Sequence, residues 1–395
     1  MLRSDPVPEP AASASKKRVR GKILLAGVAI TGLVVAVVWS IASRPAPPPP
    51  TQVWKPQPDC FPIGTVLQGS RVELSLAAFT QYRPPGVPAW VSKVPRPFQN
   101  VAEALNQRLV RLRALAPWRL AVEPPAYLKV QSARLDYAPQ GARVWIEMTA
   151  STTQTGRFTG PVVIRLRHAS GQVQTLQVPV EFRVLPKPDR LAGHVLICQT
   201  PFDGYSTGNG TNFRTAARIT AALSERQIQV DFLEAIPKSL GGFTVVLLAG
   251  DALARLQPAQ RTLLRGFVQS GGRLVIAPDA FFQPTVARAN ELLAEYGLQV
   301  EDKDAADQTE SSDVAEDPLT QGVHRLTFRR PARISATDPA QGRLLVKASD
   351  GAGYVAVSRG SGRGEIVVLT QSLWYIWANA DEADNAKLLE NLLLR

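Results

Sequence analysis

Pro186-Lys187-Pro188-Asp189-Arg190-Leu191-Ala192-Gly193-His194-Val195-Leu196-Ile197-Cys198-Gln199 is the stretch at which the pattern of this chain changes. Upstream, from Phe61, apolar residues recur at every second position. Examples are Arg71-Val72-Glu73-Leu74-Ser75-Leu76, Val144-Trp145-Ile146-Glu147-Met148 and Val162-Val163-Ile164-Arg165-Leu166-Arg167, with Gln140-Gly141 and Ser170-Gly171 as turn signals. Period two with one apolar face describes half-buried strands, and several of them at this spacing predict a β-sandwich over 61–188. Downstream, unbroken apolar runs at His194–Gln199, Phe243–Ala249, Leu274–Ala277 and Glu365–Thr370 read as strands buried on both faces. Between them lie helical spacings at Phe213–Arg226, Pro258–Gln269, Thr285–Tyr296 and Ala383–Leu394. Pro258 suits a first helical position, and Gly271-Gly272 and Gly297 are stops. Strands alternating with helices predict an α/β doubly wound, flavodoxin-like domain over 189–395.

The N-terminal end adds a third pattern. Ile23–Ala42 holds twenty positions without a charge, preceded by Lys16, Lys17, Arg18, Arg20 and Lys22. At about 1.5 Å per residue this spans roughly 30 Å, the hydrocarbon thickness of a bilayer. The expectation is therefore a cytoplasmic basic tail over 1–22 and a single transmembrane helix over 23–42. A Pro-rich linker over 43–60 follows, and both later domains lie outside the cytoplasm of the cell membrane. A cleaved signal peptide is the competing reading, since Ser40 and Ala42 form a small-x-small site.

The net charge of +12 does not point to nucleic acid. The first 55 residues carry 8 Lys/Arg against 2 Asp/Glu, which membrane topology explains, and residues 191–395 are slightly acidic. The basic excess between them is spread singly along alternating strands, with no basic stripe interleaved with aromatics to stack bases. Glu301–Asp317, with eight acids, reads as a solvated loop. Two cysteines, Cys60 and Cys198, exclude a disulfide scaffold and a cysteine-rich metal site. Neither a metal nor any cofactor is expected.

Phe61-Pro62-Ile63-Gly64-Thr65-Val66, a Trp118-containing strand, Gly156-Arg157-Phe158-Thr159-Gly160 and Val178-Pro179-Val180 together resemble immunoglobulin-like envelope domains of the ASPM/SPD-2/hydin type. Such domains mostly bind proteins or act as spacers. The downstream series of strands, with Gly362-Arg363-Gly364 before Ile366-Val367-Val368-Leu369 and with Asn379 and Asp384-Asn385 after it, resembles the class I glutamine amidotransferase-like superfamily. The likeness is to its uncharacterised, membrane-associated members. Catalytic members carry a cysteine on a sharp turn after a strand, with a distant His and an acid. Here Leu274–Ala277 runs into Pro278-Asp279-Ala280-Phe281, with neither Cys nor Ser at the turn. His168, His194 and His324 lie in no matching arrangement. The triad is missing and no catalytic residue is assigned.

What remains is a set of candidate ligand-binding residues just past strand ends, where open α/β sheets bind ligands. These are Asp203, Asn209 and Asn212 in a Gly-rich loop, Asp203-Gly204-Tyr205-Ser206-Thr207-Gly208-Asn209-Gly210-Thr211-Asn212, and Asp251, Asp279 and Gln371. The expected function is a membrane-anchored extracytoplasmic binding or scaffold protein with an envelope protein as partner, a small-molecule ligand being a further option. The alternative is a carboxylate-dependent hydrolase or sugar-processing enzyme using Asp203, Asp251 and Asp279.

Overall fold

A computed structural model describes residues 55–57, 61–81, 118–138, 141–168, 171, 173–198, 211–278, 283–301, 309–329, 331–360, 362–370 and 382–394. The strands are β1 (Lys55–Gln57), β2 (Phe61–Leu67), β3 (Val72–Gln81), β4 (Arg119–Glu123), β5 (Leu128–Ala138), β6 (Gly141–Ala150), β7 (Gly156–Arg167), β8 (Val173–Leu185), β9 (Gly193–Cys198), β10 (Ile228–Leu233), β11 (Val245–Ala249), β12 (Arg273–Ala277), β13 (Leu298–Glu301), β14 (Thr309–Ser311), β15 (Asp313–Val314), β16 (Leu326–Phe328), β17 (Arg333–Ala336), β18 (Gly342–Lys347), β19 (Gly353–Ser358) and β20 (Glu365–Leu369). The helices are α1 (Thr211–Glu225), α2 (Gly250–Ala254), α3 (Pro258–Gln269), α4 (Gln283–Leu293) and α5 (Asn385–Leu393), with a 3-10 turn at Pro318–Thr320.

Alternation builds the first region. Val144, Ile146 and Met148 of β6 turn inward with Leu74 and Leu76 of β3. They meet Val162, Ile164 and Leu166 of β7 and Val178, Val180 and Phe182 of β8. The order β2-β8-β7-β4 forms one sheet, and β3-β6-β5 lies opposite it. The second region has a parallel centre, β10-β9-β11-β12-β20, whose strands are buried on both faces. One face, with Val195, Ile197, Val230 and Val245, is covered by Ile219 and Leu223 of α1 and by Leu388, Leu389 and Leu392 of α5. The other, with Leu196, Val246, Leu274 and Ile366, is covered by α3 and α4 through Leu264, Phe267, Val286 and Leu292. Beyond β20 the sheet turns antiparallel through β19, β17 and β13.

The two regions are not separate. β3 pairs in parallel with β10, so β5, β6 and β3 extend the α/β sheet into a single mixed sheet of fourteen strands. The first core cluster likewise runs without a break from the sandwich to α1 and α5. Gly64 makes this possible in the second layer. It sits at φ +87°, and a Cβ there would lie 2.6 Å from the Ala217 Cα, so β2 and α1 touch backbone to backbone.

The expected architecture of a transmembrane helix, an immunoglobulin-like sandwich and an α/β doubly wound flavodoxin-like domain is therefore corrected at the two domains, which share one mixed sheet. Strand is the commonest structure among the described residues, and helices flank the five-stranded parallel centre β10-β9-β11-β12-β20. Residues 23–42 lie outside the described residues, as do 1–22. Among the described residues no helix is long and apolar enough to cross a membrane. Two smaller expectations also change. The 43–60 linker contributes β1, which pairs with β3 through Lys55 and Phe79. The acidic stretch 301–317 contains β14 and β15 and ends on a buried Asp317, because Arg359 and Arg343 neutralise that carboxylate.

Candidate functional site

Of the six residues singled out in the sequence, Asp203, Asn209, Asp279 and Gln371 lie outside the described residues. Asn212 is the second residue of α1, which follows β9, and Asp251 the second of α2, which follows β11. Their helices thus leave neighbouring strands at the carboxyl edge of the parallel run.

The groups a catalytic triad would need are placed otherwise. Cys198 ends β9 with no exposed surface, and burial, with Glu73 nearby, pushes its thiol up to about 12. β12 carries Arg-Leu-Val-Ile-Ala and is followed by Pro278. His168 packs edge-on against Trp118 in the sandwich, with ring centroids 4.9 Å apart. His324 is exposed, and its backbone N–H donates to Asp384 Oδ2 at 2.8 Å. The His194 imidazole faces an acid, with Nε2 3.3 Å from Asp231 Oδ2.

The polar side chains that do converge lie where β3 meets β10, and they come from both regions. Alternation turns Arg71, Glu73 and Ser75 to the face opposite the sandwich core. Ser75 Oγ donates to Glu234 just past β10, and the Glu234 N–H donates to Glu73 Oε2 at 2.8 Å. On β6, opposite Ser75, Glu147 accepts from Ser132 Oγ at 2.7 Å and from Trp145 Nε1 at 3.2 Å. Partial burial is the main cause that raises the Glu234 carboxyl above the ordinary range. The charges of Glu147 and Glu73 add to the rise, against the Ser75 hydrogen bond and Arg255. A carboxyl with a raised pKa is better placed to donate a proton.

One residue pair back, Asp231 accepts from the Arg71 backbone N–H at 2.9 Å and from Arg71 Nε at 2.8 Å. Burial alone would raise its pKa. The approach of His194 Nε2 and the two bonds from Arg71 outweigh that and hold it below the usual carboxylate value. The Phe243 ring lies 4.2 Å from His194 and under the Arg71 guanidinium. Beside this ring a groove of about 1020 Å³ runs between α3 and residues 236–244, lined by Ile236, Leu240, Phe243, Leu263, Gly266 and Phe267. It exists because β10 connects to β11 without a helix. Among the described residues no group of three His, Cys, Asp or Glu could hold a metal ion.

None of these convergences was legible as a site. Glu73 and Glu147 read as the polar face of alternating strands, and Ser75 and Glu234 stand 159 positions apart in sequence. Local pattern carries no signal for such a pair.

The chain matches a family model described as a domain of unknown function, DUF4350, over residues 220–393, less than half its length. No curated protein matches it. Among solved structures, a glutamine amidotransferase from Thermotoga maritima is similar at 14% identity and a TM-score of 0.32, covering 52% of this chain and 90% of that one. An ASH/PapD-like domain of human CEP192 is similar at 10% identity and a TM-score of 0.21, covering 37% and 94%. A family 123 glycoside hydrolase from Clostridium perfringens is similar at 9% identity and a TM-score of 0.21, covering 50% and 38%.

Proposed function

We propose that this chain is a binding or scaffold protein whose amidotransferase-like part does no thiol chemistry. The observation that carries this reading is Cys198. A thiol sealed at the end of β9 with its pKa at about 12 is neither ionised nor reachable at neutral pH. The groove beside α3 offers a partner a concave surface, and Gly266 on its wall has open space where a side chain would stand. The test has two arms. The purified full chain releases no ammonia from glutamine; turnover that Cys198→Ser abolishes would leave this reading without its basis. A partner captured by the full chain is lost from Gly266→Arg, whose side chain fills the groove.

A second reading rests on Glu234. A carboxyl shifted upward beside Glu73 and Glu147 is the kind of pairing that acid–base hydrolysis uses, here at residues other than Asp203, Asp251 and Asp279. Under this reading Glu234→Gln lowers a hydrolase activity and removes the basic limb of the pH profile of what remains, and an unchanged profile sinks it. Placement outside the cytoplasm is a separate proposal, carried by residues 16–42 of the sequence alone. A reporter active only outside the cytoplasm, fused after Arg395, gives signal if it holds.

A further inference from the structure

The sandwich sheet and the α/β sheet meet along β3 and β10, and this joint is unlike the parallel joints beside it. β9 and β10 share six register pairs and β11 and β12 share five. β3 and β10 share one, Val72 with Phe232, where the Phe232 N–H donates to Arg71 O at 2.8 Å. Side chains supply what the ladder lacks. Asp231, with its side chain 1% exposed, faces Arg71 from the sandwich side and His194 from β9. On its own strand the Gln229 amide reaches it at 3.4 Å and also donates to Gly69 O at 3.3 Å. Behind the joint, in the other layer, β2 and α1 are in backbone contact at Gly64, and Ser224 Oγ donates to Thr65 O at 2.9 Å.

We propose that Asp231 is an electrostatic pin whose charge keeps the β3–β10 joint shut, and that without this charge β3 parts from β10 locally while the rest of the molecule stays folded. The carboxylate accepts from two groups of Arg71 and faces His194, so it substitutes for several ladder bonds at once. Removing its charge leaves a guanidinium and a backbone N–H with no equal acceptor. The contact between β2 and α1 is the axis about which the joint opens, since close packing there does not depend on Asp231. Opening separates Glu73 and Ser75 from Glu234, so the carboxyl cluster is assembled only in the shut state.

Hydrogen exchange on the full chain tests this. In Asp231→Asn, protection of the Phe232 amide falls by about tenfold or more relative to the amides of β12, the least that one charge-assisted bond is worth. Arg71→Met reproduces the pattern, and Arg71→Lys, which keeps the charge, reproduces it more weakly. Protection that falls equally at β10 and β12, or that is unchanged at Phe232, overturns the proposal. Should Asp231→Asn not fold, the two Arg71 variants decide it by the same comparison.

Discussion

Arg273 and Glu365 are register partners at the amino ends of β12 and β20, and their side chains form a buried ion pair at 2.7 Å. The same guanidinium reaches past the sheet to the carboxyl end of α5. There Nη1 donates to Asn391 O and Leu392 O at 3.0 Å each, and to Leu394 O. A helix end leaves carbonyls without partners, and a cation placed there satisfies them and complements the helix dipole. One arginine thus ties the centre of the sheet to the last helix of the chain. Arg273→Met destabilises the protein by about 1.5–3 kcal/mol, the scale of a charged hydrogen bond, because the buried Glu365 carboxylate keeps only Arg359 at 3.1 Å. Urea denaturation reads the loss. Adding Glu365→Leu recovers part of it, and no recovery would mean that the helix end, not the ion pair, carries the effect.

Cys198 gives a prediction in reagent chemistry and one in pH. In a Cys60→Ala background the folded chain leaves a thiol-specific chromogenic disulfide unreacted, while the denatured chain reacts at one site. The raised thiol pKa also makes a linkage. Between the ordinary thiol value and about 12 the unfolded chain has lost a proton that the folded chain keeps, so stability present below that range falls as pH rises through it. Cys198→Ser removes this alkaline slope and leaves any binding intact. A loss of binding with unchanged melting would make Cys198 part of a site.

Asp317 governs the acid side. It caps the 3-10 turn by accepting from the Leu319 N–H at 3.0 Å, and Arg359 holds both its oxygens at 2.8 and 2.9 Å. Burial would raise the carboxyl, but the Arg359 bonds and the turn outweigh it and hold it low. Its stabilisation is therefore full above about pH 4, the ordinary value of a free carboxylate, and is lost as pH falls through the depressed folded value. Asp317→Asn costs about 2 kcal/mol at pH 7, the scale of a charged hydrogen bond, and the difference from wild type shrinks on acidification. A difference constant from pH 7 to pH 2 would exclude the linkage.

Gly64→Ala meets two penalties together. A positive φ disfavours any Cβ, and the added methyl would press on the α1 backbone at Ala217 and on Thr220 Oγ1. The expected loss is about 3 kcal/mol or more, read as a lowered melting temperature. Gly69→Ala is the control, since its φ of +86° is similar while nothing lies within 4 Å of an added Cβ. Equal losses in both would assign the effect to strain alone.

Much of the local structure followed from the sequence alone. Pro258–Gln269 is a helix with the bounds its proline and glycines imply, and β12 and β20 stand where unbroken aliphatic runs place them. These features depend on neighbours three or four residues away, so spacing reveals them. Only the tertiary structure decided the rest. β10, Ile228–Leu233, hid its strand character because Gln229 and Asp231 interrupt the apolar run, and Asp231 is tolerated in a buried strand because Arg71 arrives from 160 residues away. The join of β3 to β10 likewise turns two expected domains into one sheet, and it gathers Glu73, Ser75, Glu147 and Glu234 into a cluster. A buried charge is stable only beside its partner, and which residue becomes that partner is settled by how the layers pack.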